Sequence, residues 1–153
     1  TPWGPLADSA LLAFAKRVVH LRASEPVLRR KTFLRGKFRD KADVIWLHPS
    51  GSELSSADWH DSSLRAMGML LDGTAIPERD EQGEPIVGNT LLVMFNGGPS
   101  TMPFALPWPG DGSAWEAVLD TADVGRTGPT GAHWLLQGHA AAVFRLIQIA
   151  PAG

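Results

Sequence analysis

The sequence predicts a mainly β protein: an antiparallel β-sandwich preceded by one amphipathic α-helix. Three observations carry that prediction. Apolar residues recur at helical spacing in one stretch near the N-terminus. Beyond Pro26 the chain breaks into short apolar runs rich in β-formers. The residues between those runs are turn-formers rather than helices, which favours antiparallel pairing, because parallel neighbours need long crossovers.

The helix is read from Leu11 to Arg22. Leu11, Leu12, Phe14, Ala15, Val18, Val19 and Leu21 recur at helical spacing, with Lys16, Arg17 and His20 between them. Asp8 or Ser9 can accept the free amide hydrogens at its start, and the basic residues near its end suit the macrodipole. Pro26 stops it by about Glu25. A lone amphipathic helix must cover something, either the strands that follow or a neighbouring domain.

Strands are expected at Thr32–Leu34, Val44–Leu47, Leu64–Leu71, Thr90–Phe95, Met102–Leu106, Trp115–Leu119 and Ala142–Ile149. The runs 90–95 and 143–147 carry the most buried pattern. Between the strands lie Pro49-Ser50-Gly51, Asp72-Gly73, Asn96-Gly97-Gly98, Pro107-Trp108-Pro109-Gly110 and Gly128-Pro129, all of which turn the chain. Asp72 to Asn89 is acidic and poor in apolar residues, and reads as a surface loop.

With 153 residues, 44% hydrophobic and 20% charged, the chain is long enough to bury a core and far from the composition of disorder. It has no Cys, which excludes disulfides and thiolate zinc sites. No apolar run approaches the length of a membrane span, so a soluble protein is expected. The chain opens at Thr1 rather than Met, as a processed protein or a piece of a longer one would. The net charge of −2 hides a skew, because residues 1–41 hold ten of the fourteen Lys and Arg. A nucleic-acid module using Arg29, Arg30, Lys31, Arg35 and Lys37 is the minor reading of that segment, and a solvated basic face the better one.

The search for chemistry gives little. His20, His48, His60, His133 and His139 are scattered without metal-ligand spacing, so no metal and no cofactor is expected. Asp58-Trp59-His60-Asp61 reads as a polar turn. Gly51-Ser52-Glu53 breaks the pattern of a nucleophilic serine, and Gly97-Gly98 lacks the sequel of a phosphate loop. Glu78, Asp80, Glu81 and Glu84 lie on a mobile acidic loop rather than across a rigid cleft. No catalytic residue is assigned. Six Trp residues without any Tyr point to sugar stacking as a second class of function. Trp46, Trp115 and Trp134 belong with strands and hence with the core. Trp59, in a polar stretch, and Trp108, between two prolines, are the candidate carbohydrate-binding residues.

Asp8 to Arg30 resembles the closing barrel helix of isoamylase-type glycogen debranching enzymes, in the α-amylase superfamily of glycoside hydrolases. Its Leu-Leu-x-Phe, Leu-Arg and Pro-Val-Leu-Arg-Arg elements are followed by Phe33 and Gly36. Ile45 to Leu54 with Asp58-Trp59 is similar to that family's Trp-Leu-x-Pro-x-Gly-x-Glu followed by Asp-Trp, and Leu64–Gly73, Gly83–Ile86, Thr90–Asn96, Phe104–Pro107 and Trp115–Thr121 keep the family's order. The sequence departs from the family at Glu25, where His is usual, and at Gly138-His139-Ala140, where Arg-Ser is usual. The resemblance implies a cytoplasmic hydrolase of α-1,6 branch linkages in glycogen or limit dextrin, working by the retaining two-carboxylate route. It makes residues 1–27 the last helix of a catalytic barrel with its lead-in, and 28–153 a Greek-key-like C-terminal sandwich. The partners it implies are the barrel of the same polypeptide and an α-glucan. Its catalytic carboxylates lie upstream of the closing helix, so no residue of this chain inherits them.

Overall fold

A computed structural model describes residues 9–36 and 40–149. Asp8 as helix cap and Lys37 as a basic contact lie outside the described residues. The elements are α1 (Ser9–Ser24), a 3₁₀ turn (Pro26–Arg29), β1 (Val44–Leu47), α2 (Ser56–His60), β2 (Ala66–Leu71), β3 (Leu91–Asn96), β4 (Met102–Ala105), β5 (Ser113–Asp120), β6 (Gly128–Pro129), β7 (His133–Leu136) and β8 (Ala140–Gln148). Every strand pairing is antiparallel. Six strands form one sheet in the order β1-β2-β3-β8-β5-β6, and β4 and β7 form a second. The last strand slots between β3 and β5 after the chain has crossed twice to the small sheet, so the sandwich closes with its termini-proximal strand at the centre.

Strand alternation divides the core. On one face of the large sheet Leu92, Met94, Ala142, Phe144, Trp115 and Ala117 meet Phe104, Trp134 and Leu136 of the small sheet. On the other face Leu91 joins Val44, Leu71, Val27 and Ile76, and Val93 joins Val143 and Leu119. β3 is therefore covered on both sides, which is why Leu91 to Met94 is unbroken apolar sequence. Leu119 reaches the second face through a bulge: Ala117 pairs with Phe144 and Leu119 with Val143, leaving Val118 as the extra residue. Without it Ala117 and Leu119 would share a face.

The helix covers that second face with only one side. Phe14 and Leu21 pack on Val93, Leu119 and Val143. Arg17, between them, donates to the carbonyls of Val124 and Val118, the latter the bulge residue. Pro26 opens the 3₁₀ turn at its first position, ending α1 where the sequence placed its stop. Glu25, at the junction, is 2% exposed and accepts from Arg145 Nε at 3.0 Å and Asn89 Nδ2 at 3.1 Å. The carboxylate at this position is thus paired by an arginine on β8.

Three expectations are corrected. Thr32–Leu34 is not a strand. Its neighbourhood satisfies its amides on side chains: Lys31 and Thr32 N–H donate to Glu78 Oε1 at 2.7 and 2.9 Å, and Arg35 and Gly36 N–H donate to the Asp43 carboxylate at 3.0 and 2.8 Å. The stretch 72–89 is no simple surface loop either, since Ala75 and Ile76 are buried and Glu78 is one of those anchors. Asp58-Trp59-His60 forms a helical turn, α2, started by a capping box in which Ser55 Oγ accepts from Asp58 N–H at 3.2 Å and Asp58 Oδ2 accepts from Ser55 N–H at 2.7 Å.

One polar position and one close backbone approach lock the sheets together. Asn96, 3% exposed at the end of β3, donates to the carbonyls of Ser100, Leu136 and Gln137 and accepts from Gly98 N–H. Gly138 sits so close to the backbone that a Cβ there would lie 2.2 Å from the Pro99 carbonyl oxygen. Close packing therefore excludes a side chain at position 138. No described helix is long and apolar enough to cross a membrane.

Candidate functional site

Trp59 and Trp108 are both exposed, by 52% and 78%, but they line different recesses. Trp115 and Trp134 are buried, as expected of core residues, whereas Trp46 is only half-buried. It packs against the Val27, Val44, Leu71 and Leu91 cluster, and its ring meets Trp59 edge to face with centroids 6.0 Å apart.

That pair forms one wall of a groove of about 480 Å³. Backbone hydrogen bonds fix each part. β1 supplies Trp46, whose carbonyl accepts from Leu54 N–H at 2.8 Å. The chain returns alongside β1 through a turn closed by Gly51 N–H to the His48 carbonyl, with Gly51 at φ +89°, a left-handed conformation that favours glycine. Glu53 then pairs with Leu47 and lines the same groove, which Arg35 also lines. The capping box of α2 holds Trp59. Its Asp58 carboxyl lies below the usual carboxylate range because the Ser55 hydroxyl and then the Ser55 N–H bond to its charged form. The box consequently stays intact into the acid range.

Chemically, the groove offers two indole rings, a carboxylate and a guanidinium. Flat apolar faces stack on a pyranose ring, and planar charged groups pair with vicinal hydroxyls. Of the residues that line this groove, the sequence singles out Trp59 as a carbohydrate-contact candidate and does not single out Trp46, Arg35 or Glu53 for that role. Trp46 stands on a strand and packs against a core cluster as expected, with Trp59 beside it, and Arg35 lines the groove from a loop.

Trp108 projects from a stiff Pro107-Trp108-Pro109 segment. Trp115 Nε1 donates to the Pro107 carbonyl at 2.8 Å, and Thr130 N–H and hydroxyl both donate to the Trp115 carbonyl. The adjoining recess is about 280 Å³ and mostly apolar, lined by Leu106, Ala114 and Thr130 among others. No group of three or more His, Asp or Glu among the described residues is arranged to hold a metal ion.

Comparison with known proteins bears on the two sheets of this architecture. The family described as "Isoamylase, C-terminal" matches residues 43–144, from the buried Asp43 before β1 to Phe144 in β8. The chain belongs to the isoamylase C-terminal domain family. Its relatives include the "Glycogen operon protein GlgX homolog" of Mycobacterium tuberculosis (strain ATCC 25618 / H37Rv), 35% identical over 120 residues, covering 76% of this chain and 17% of that protein. The "Isoamylase" of Pseudomonas amyloderamosa is 29% identical over 116 residues, covering 76% of this chain and 13% of that protein. The "Isoamylase" of a Flavobacterium species is 29% identical over 112 residues, covering 71% and 13%. The chain thus spans less than a fifth of the length of these relatives. Within the isoamylase C-terminal domain, the match takes in Trp46, Glu53, Trp59 and Trp108, whereas α1, the 3₁₀ turn and Arg35 precede it.

Proposed function

We propose that this chain is the C-terminal accessory domain of a glycogen debranching enzyme that hydrolyses α-1,6 branch linkages in glycogen or limit dextrin in the cytoplasm. In this reading residues 1–27 are the closing helix of the catalytic barrel with its lead-in, and 28–153 are the sandwich that stabilises it. The observation that carries the reading is the second side of α1. Leu12 (54% exposed), Ala15 and Val19 (68% exposed) lie on the side of the helix opposite Phe14, Arg17 and Leu21. A helix apolar on both sides belongs between two layers. The sandwich is one layer, and a barrel of the same polypeptide is the other.

The nucleophilic and acid/base carboxylates of the retaining route then belong to the barrel. The chain by itself is expected to release no reducing ends from limit dextrin or pullulan, while the longer polypeptide does. Reproducible hydrolysis by the purified chain would overturn the assignment.

A second reading, favoured by the Trp46–Trp59 groove, is that the domain itself binds α-glucan. Titration with maltoheptaose, followed by tryptophan fluorescence, is expected to show saturable binding that weakens about tenfold, or about 1.4 kcal/mol, in Trp59→Ala. Trp108→Ala tests the other recess in the same way. No fluorescence change in the parent chain would remove both sites from consideration.

A further inference from the structure

We propose that Phe33 is a further carbohydrate-contact residue: a platform outside the Trp46–Trp59 groove that an α-glucan reaches only when its chain is long enough to leave the groove past Arg35. This extension rests on the glucan-binding reading of that groove.

Phe33 is 93% exposed, so its ring adds next to nothing to the core. A single exposed apolar side chain is ordinary on a protein surface. The backbone on either side of this one is not, because side-chain acceptors hold it. Before Phe33, the N–H groups of Lys31 and Thr32 and the Thr32 hydroxyl all donate to Glu78 Oε1, at 2.7, 2.9 and 3.0 Å. After it, the N–H groups of Arg35 and Gly36 donate to the buried Asp43 carboxylate, which the Arg30 guanidinium also holds. Only Phe33 and Leu34 lie between the two attachments, so the loop presents a short, fixed tip. A ring held in place before binding loses little freedom when a ligand arrives.

The tip stands beside the groove. Arg35 and Gly36 line the groove, as do Trp59, 52% exposed, and Glu53. Phe33 lies outside it but only two residues before Arg35, so the two backbones are at most about 7 Å apart. The accessible surface thus offers an indole inside the groove, exposed charged groups at Arg35 and Glu53, and a phenyl ring just beyond Arg35. Pyranose rings stack on the flat apolar faces, and their hydroxyls pair with the charged groups between. An apolar protein segment would instead leave Arg35 and Glu53 without partners as it covered them, which makes a sugar chain the better occupant. A short oligosaccharide is held by the groove alone. A longer one continues past Arg35 and meets Phe33.

The test is titration of the whole chain with maltotriose and with maltoheptaose, followed by tryptophan fluorescence, in the parent and in Phe33→Ala. The parent is expected to bind maltoheptaose about tenfold more tightly than maltotriose. Phe33→Ala is expected to weaken maltoheptaose about tenfold and leave maltotriose unchanged, so that the preference for the longer chain disappears. Phe33→Trp, which keeps a flat ring, is expected to retain that preference. The thermal midpoint of the unliganded Phe33→Ala chain should equal the parent's, because the ring is almost fully exposed. Saturable binding by a Phe33→Ala chain that keeps the parent's preference for maltoheptaose, or that loses affinity equally for both sugars, would overturn the proposal while leaving the groove as a glucan site. No binding of either sugar by the parent would remove the groove and the Phe33 platform together.

Discussion

Asp43→Ala is expected to destabilise the domain by about 3–5 kcal/mol, because it removes one member of a buried ion pair and leaves the other charged. Asp43 is fully buried and anchors three groups at once: the Arg30 guanidinium at 2.9 Å and the N–H groups of Arg35 and Gly36. Burial alone would push its pKa up. The Arg35 N–H, the Arg30 side chain and the Gly36 N–H outweigh that, and the carboxyl lies below its ordinary value. A carboxyl whose pKa is lower folded than unfolded binds fewer protons in the native state, so its contribution is present above the unfolded value and lost as pH falls through the folded one. The parent chain should therefore lose stability below about pH 4, the unfolded Asp range. Asp43→Asn should show a smaller part of that loss. Urea midpoints measured from pH 3 to 7 check both statements. An Asp43→Ala midpoint equal to the parent's at pH 7 would contradict this account of the loop before β1.

Phe144→Ala is the other large effect, at about 3–5 kcal/mol for an aromatic removed from a closed core. Phe144 has no exposed surface, stands on β8 at the middle of the large sheet, and meets Trp134 edge to face at 5.1 Å between centroids. Trp134 is held from elsewhere, by Asp120 Oδ2 on its Nε1 and by Arg126 stacked 3.5 Å over its ring, so it cannot collapse freely into the cavity. Phe95→Ala provides the contrast. Phe95 lies one strand away and is 40% exposed, and its loss should cost under about 2 kcal/mol. Equal losses for the two variants in guanidinium unfolding would mean that the core is not divided as described.

The elements legible in the sequence were those whose burial writes a pattern. Val44–Leu47, the 91–96 run and the long 140–148 strand are apolar stretches bounded by turn residues, and each lies within two residues of its expected limits. Elements that depend on a partner far along the chain were not legible. β7 is four residues long with alternating exposure, and β6 is a Gly-Pro pair that reads as a turn until β5 lies beside it. Thr32–Leu34 has β-forming residues, yet Glu78 takes the amide of Thr32 and Asp43 that of Gly36, an arrangement no local pattern announces. α2 was encoded by Ser55 and Asp58 three residues apart, a capping signal hidden in a polar stretch. The candidate site divides in the same way. Exposure of Trp59 and Trp108 followed from their surroundings in sequence, whereas Trp46 joins Trp59 only through the turn at Gly51. Arg30 read as part of a solvated basic face, and it is instead the buried partner of Asp43.

The assignment of α1 to an interdomain position can be tested with a single thiol, because the chain contains no Cys. Val19→Cys places that thiol on the outer side of the helix, and Leu135→Cys, at a position 57% exposed on β7, gives a reference. Maleimide labelling followed by peptide mapping gives the rate at each position. In the chain alone the two thiols should react at similar rates. In the longer polypeptide proposed above the account predicts that Val19→Cys is protected at least about tenfold relative to Leu135→Cys, because a barrel would cover the helix. Equal labelling of the two positions in the longer polypeptide would contradict it and leave α1 as part of the sandwich alone.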